Sequence, residues 1–155
     1  MSCACALISI HKDTDRIATG CQDGVMRVYH TARPDPNATE YNVAPSGIAE
    51  AITKLAWMPD ENIIVVGQRS GKVQLWDVRT ASGPAISVVV SKGGAVIQDL
   101  EINTVHNTIL LATDDRVRFI PLPLFCLSPF RRCSHDSYLT SYPRSCFLTC
   151  QICQQ

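Results

Sequence analysis

"RIATGCQDGVMRVYHT" at residues 16–31 recurs as "IIVVGQRSGKVQLWDV" at residues 63–78, and the spacing of these two copies decides the fold. Gly24 and Gly71 stand 47 positions apart, as do the aromatic residues Tyr29 and Trp76. A self-similarity at such a period marks an architecture of stacked units, each too small to bury its own apolar face. A third, weaker copy, "TILLATDDRVRFIPL" at 108–122, sets Phe119 43 positions beyond Trp76. The shorter step is expected to cost loop residues alone.

Within each copy the apolar pattern has the period of a strand. "AITKLAWMP" alternates and ends at the turn cluster Pro59, Asp60, Glu61 and Asn62; "IIVVGQ" is a continuous β-branched run suited to a strand covered on both faces. Arg69, Ser70 and Gly71 supply the next turn, "KVQLWDV" a third strand and "AISVVVSK" a fourth. The first copy repeats this with "CACALISI", "RIATGC" and "VMRVYH", turning at Asp13–Asp15 and at Gln22, Asp23 and Gly24. Its linker holds Pro34, Pro36 and Pro45, which leave room for one short outer strand at 40–43. In the third copy "VIQDLEIN", "TILLAT" and "VRFIPL" make three strands, and no stretch reads as a fourth. Four short antiparallel strands joined by tight turns form one blade of a propeller.

The expected fold is therefore all-β: about three four-stranded antiparallel blades over 1–44, 52–91 and 96–121, in a ring that is not closed. Residues 122–155 are a different kind of sequence. Five of the eight cysteines (Cys126, Cys133, Cys146, Cys150 and Cys153) fall there, without strand periodicity. That tail is expected to be unstructured or foreign to the fold, and the chain to be a fragment of a longer propeller or a mispredicted gene product.

At 155 residues with 18% charged and 46% apolar, the chain suits one globular domain. Zero net charge encodes no general pull toward nucleic acid or anionic membrane. No apolar run approaches the roughly 18 residues of a spanning helix. The apolar start "MSCACALISIHK" lacks a basic flank and runs on into a strand pattern, so no export signal is expected. The implied location is cytoplasmic, with the nucleus also open to it, and the cysteines are expected as thiols.

"GKVQLWD", with Trp76 and Asp77 after strand, turn and strand, resembles a WD40 repeat. The resemblance implies a structural motif of Thr19, Asp23, Gly24 and Tyr29 in the first copy and Gly71, Trp76 and Asp77 in the second. In such repeats a turn Asp joins a buried network with a His, a Ser or Thr, and the Trp. Here Asp23 holds the turn with Thr19 as its candidate partner, Tyr29 stands in the Trp place, Ser70 replaces the second turn Asp, and no Gly-His dipeptide occurs. The longer string "GCQDGVMRVYHTARPDPNATEYNVAPSGIAEAITKLAW" is similar to central blades of the serine-threonine kinase receptor-associated family of seven-bladed adaptors. The propeller subunit of translation initiation factor three shares the same grammar.

The first resemblance implies a non-enzymatic scaffold. Such scaffolds work in the survival-of-motor-neuron complex that assembles spliceosomal small nuclear ribonucleoproteins, and in receptor signalling of the transforming growth factor-β type. Its partners would be other proteins, docked on loops held by a rigid frame. If they use the turns between second and third strands, the contact residues are Gln22, Asp23, Arg69, Ser70, Asp114 and Asp115, which would otherwise be polar simply because they are solvated. Trp57 and Trp76 read as inter-blade packing residues or as surface anchors.

Catalysis finds little support. His11, His30 and His106 lie at strand ends or turns with no nucleophile or carboxylate at a motif spacing. "GKV" at Gly71 has no glycine-rich phosphate loop before it. Asp114 and Asp115, adjacent in a tight turn, point apart. No cofactor is implied. The tail leaves one metal alternative, a zinc module from Cys133, His135, Cys146, Cys150 and Cys153, though its spacing matches no familiar pair of knuckles.

Overall fold

In the computed structural model the described residues are 5–12, 14–32, 38–44, 50–58, 62–80, 83–90, 93–106 and 108–121. Among them every regular element is a strand. β1 (Cys5–Ile10), β2 (Arg16–Cys21), β3 (Val25–His30) and β4 (Thr39–Asn42) form the first sheet in that order. β5 (Ile52–Trp57), β6 (Ile63–Gln68), β7 (Lys72–Asp77) and β8 (Ile86–Val89) form the second, and β9 (Ile97–Asn103), β10 (Thr108–Thr113) and β11 (Val117–Pro121) the third. All pairings are antiparallel between sequence neighbours. Gly24 at φ 80° and Gly71 at φ 77° close equivalent turns in a conformation that a side chain would strain.

The sheets stack through two apolar seams. Ala18, Met26, Val28 and Tyr41 of the first sheet meet Ile52, Ile64, Val66 and Trp76 of the second. On the opposite face of the second sheet, Val65, Val73 and Leu75 meet Ile97, Leu100, Ile109 and Leu111 of the third. β6 is buried along its whole length because successive side chains enter different seams, which is why its sequence does not alternate. Full burial of Ile64, Val65 and Val66 contributes on the order of 1.5–3 kcal/mol each.

Two glycines let the sheets approach. A Cβ on Gly20 would stand 2.8 Å from Ile52 Cγ2, and one on Gly67 3.0 Å from Ile97 Cγ2. They are 47 positions apart, a second glycine pair in the repeat register. Polar contacts cross the same seams: Trp57 Nε1 donates to Ser9 O at 3.1 Å, Tyr41 OH to Val78 O at 2.6 Å, and Lys54 Nζ lies 3.1 Å from Asp99 Oδ1. The Trp57 ring also meets His11 edge-on and lies under the Arg16 guanidinium. Both tryptophans are thus inter-sheet residues, Trp76 3% exposed and Trp57 half-buried.

Four expectations are corrected. The outer strand expected at 40–43 is Thr39–Asn42; Val43 lies beyond it, buried, with its N–H on Gly24 O. The expected fourth strand of the second sheet pairs over Ile86–Val89 only, although the N–H groups of Ala85 and Val90 still bond to Leu75 O and Gly71 O. Phe119 does not hold the place of Trp76. Trp76 stands opposite Ile64, and the corresponding pair in the third sheet is Ile109 and Ile120. The cause is a hairpin one residue shorter: the pair Gly67 and Val73 becomes Ala112 and Val117, so β11 changes phase and Phe119 faces outward, 64% exposed.

The fourth correction concerns sulfur. Cys21, expected as a thiol, is disulfide-bonded, and Cys5 stands opposite it in the β1–β2 register. It is the only cysteine whose side chain is among the described ones. The tail and its zinc alternative, residues 122–155, lie outside the described residues.

Candidate functional site

The turns after β2, β6 and β10 leave the same end of the stacked sheets, since each sheet repeats the same strand order. There the first and second sheets enclose a shallow groove of about 390 Å³, lined by Gln22, Glu50, Ala51, Arg69 and Ser70. Its floor is tied down. Arg69 N donates to Ala51 O at 3.0 Å, and Glu50 Oε1 accepts from both Ser70 N, at 3.2 Å, and the Ser70 hydroxyl. The side chains of Gln22, Arg69 and Ser70 are exposed at its mouth. Three of the six expected contact residues are therefore brought together. Glu50 and Ala51, which complete the groove, had no signal in the sequence beyond ending a proline-rich linker.

The other three are separate. Asp23 is engaged within its own hairpin: its Oδ1 accepts from Val25 N at 3.0 Å and its Oδ2 lies 3.7 Å from Arg27, whose Nε also donates to Glu40 at 2.8 Å. Asp114 accepts from Val96 N and from Gln98 Nε2, bracing the start of β9 against the turn. Asp115 accepts from the Thr113 hydroxyl at 2.6 Å and pairs with Arg116 at 2.9 Å. The Thr113 hydrogen bond, with help from the Arg116 and Arg118 guanidiniums, holds its carboxyl below the usual range. These carboxylates shape turns.

The structural motif implied by the WD40 resemblance is only partly assembled. Thr19 does not bond Asp23; its buried hydroxyl has no hydrogen-bond partner, because Asp23 is drawn to the Val25 amide and Arg27. In the second sheet Trp76 Nε1 donates to Gln74 Oε1 at 2.9 Å, both residues buried, so Gln74 supplies the acceptor on the same strand face. Tyr41 stands edge-on to Trp76 at 6.0 Å. Burial raises the Tyr41 hydroxyl's pKa, and the Asp77 charge adds to this. Asp77 caps the following turn, accepting from Arg79 N at 3.0 Å and pairing with its guanidinium at 2.6 Å. That side-chain hydrogen bond lowers the Asp77 carboxyl's pKa. Among the described residues no group of three His, Cys, Asp or Glu side chains could hold a metal ion.

Known proteins share this architecture. Residues 37–98, from β4 through β8, match the family model of the anaphase-promoting complex subunit 4 WD40 domain. A 70-residue stretch is 29% identical to the COMPASS component SWD1 of Saccharomyces cerevisiae, covering 45% of this chain and 16% of that protein. A chain in the crystal structure of the Mitotic Checkpoint Complex superposes with a TM-score of 0.61 at 16% identity, over 76% of this chain and 34% of that one. The chain thus spans about a sixth and a third of the lengths of these two proteins. Residues 37–98 are thus similar to a WD40 domain, and the described sheets have the arrangement of blades in an unclosed propeller of that kind.

Proposed function

We propose that this chain is a non-enzymatic scaffold that docks other proteins on the end of the blades bearing Gln22, Arg69 and Ser70. The observation that carries the reading is the groove at the junction of the first two blades. There a fixed carboxylate, Glu50, and an exposed guanidinium, Arg69, flank apolar Ala51. A rigid floor with exposed polar side chains at its mouth offers a partner loop both charge and hydrogen-bonding groups without any ordering of the blade core. The names of the similar proteins support the coarse reading, since each is a component of a multi-protein complex.

The finer reading rests on the resemblance of residues 20–57 to the serine-threonine kinase receptor-associated adaptors. On that basis the partners are survival-of-motor-neuron components in small nuclear ribonucleoprotein assembly, and receptor-signalling proteins of the transforming growth factor-β type, met in the cytoplasm and nucleus. Affinity capture with the wild-type chain and with a Gln22→Ala, Arg69→Glu, Ser70→Ala variant tests both levels. Recovery of survival-of-motor-neuron components by the wild type, lost in the variant, is expected. Recovery of initiation-factor or COMPASS components instead would overturn the finer reading, and equal recovery by the variant would overturn the docking face.

A further inference from the structure

A covalent cross-link reaches the turn that walls the groove. Cys21 ends β2, its side chain is fully buried and its sulfur is disulfide-bonded. The next residue, Gln22, lines the groove, and the Gly24 N–H closes the turn on Cys21 O at 3.3 Å. The bond has to be made with another of the eight cysteines. Cys5, the first residue of β1, is the Cα partner of Cys21 in the β1–β2 ladder. Facing residues of antiparallel strands have Cα atoms about 4.5–5.5 Å apart, inside the roughly 4.4–6.8 Å that a disulfide spans.

The sulfur also has a cation beside it. Arg27 Nη1 donates to Cys21 Sγ at 3.1 Å, while its Nε donates to Glu40 at 2.8 Å and its Nη2 lies 3.7 Å from Asp23. Glu40 and Asp23 thus hold the guanidinium at the sulfur, and its side chain is 19% exposed. A disulfide sulfur is a weak acceptor and a thiolate a charged, strong one, so this contact gains strength when the bond opens. A thiol stabilised as thiolate is also the faster leaving group.

We propose that the disulfide of Cys21 with Cys5 is a thiol-reducible clasp that sets the order of the Gln22 wall of the groove. A thiolate reductant, of the kind a reducing compartment holds, attacks the Cys5 sulfur, since Cys21 is buried. The S–S bond breaks and its electron pair leaves on Cys21, as a thiolate against Arg27. A second reductant thiolate attacks the mixed disulfide at the reductant's sulfur; Cys5 departs and takes up a proton, and the two reductant molecules leave joined as their own disulfide. Two electrons have then passed to the protein. Without the cross-link, β1 loses its covalent tie to the end of β2, and the turn at 21–24 loosens. The Arg69 and Ser70 wall, tied to Ala51 and Glu50, does not depend on it. As regulation of docking the clasp rests on the function proposed above, whereas its chemistry and its effect on the turn are read without any partner.

Peptide mapping and hydrogen exchange on the full 155-residue chain, purified without reductant and then treated with a dithiol, test this. A linked peptide of Cys5 with Cys21 is expected before treatment. The dithiol should open it in the folded chain and raise exchange at residues 7–10 and 21–24 by about tenfold or more, with residues 69–71 unchanged. Arg27→Gln should slow the opening by about tenfold, and Arg27→Lys should restore most of the rate, because the leaving thiolate needs the charge. Cys5→Ser should give the loosened exchange pattern with no reductant present. Cys21 found as a free thiol or linked to a different cysteine, a bond that resists the dithiol until the chain unfolds, exchange at 21–24 unmoved by its loss, or opening as fast in Arg27→Gln as in the wild type would each overturn the proposal.

Discussion

Single residues set how near the blades can come. Gly20 and Gly67 sit where the following blade's Ile52 and Ile97 press on the backbone at 2.8 and 3.0 Å from an added Cβ. Each substitution to Ala should destabilise the chain by about 1–3 kcal/mol, since the buried isoleucines must shift within packed seams. Urea unfolding would show this as a lower midpoint at unchanged slope. Asp77 makes a different prediction. Its hydrogen bond to Arg79 lowers the folded carboxyl's pKa below the ordinary 3.8, so its contribution is fully present above that value and lost as pH falls through the lower folded one. Asp77→Asn should therefore cost under about 1 kcal/mol at pH 7, as exposed pairs do, and its deficit should shrink below about pH 3.8. Unfolding midpoints of both chains at pH 7 and pH 3 would check it.

At the scale of strands, period-two alternation and glycine turns were enough to locate ten of the eleven described elements within a residue or two, while β8 ends three residues before the stretch expected for it. The continuous run of β6 announced burial on both faces, because a strand between two seams has no solvent side. The phase of β11 was not legible. Aromatic spacing alone aligned Phe119 with Trp76, whereas the shorter hairpin assigns that place to Ile120. A residue-by-residue register requires knowing which pair closes the turn, and that is set by backbone hydrogen bonds. The groove was half legible: Gln22, Arg69 and Ser70 follow from turn chemistry, but Glu50 is placed by the close approach of its backbone to Gly24, which no local pattern announces. Protection should follow the same ranking. Amides of β6 should exchange slowest, and those of the edge strands β1 and β11 much faster, in native-state hydrogen exchange. Equal protection of β11 and β6 would contradict the arrangement of seams.

Over the whole molecule, stacked blades behave as nearest-neighbour units whose stability comes from the seams. That design frees the turn-bearing end for recognition: residues there can vary while Val65, Ile64 and their neighbours keep the frame rigid. The carboxylates that the sequence offered as contacts, Asp23, Asp114 and Asp115, are engaged in holding turns, which concentrates the candidate docking surface on the first two blades. The most direct measurement of the docking claim is a hydrogen-exchange footprint of the chain with and without its captured complex. The account expects protection gained at residues 21–24, 50–51 and 69–71. Protection confined to the opposite end of the blades, with these three segments unchanged, would contradict it.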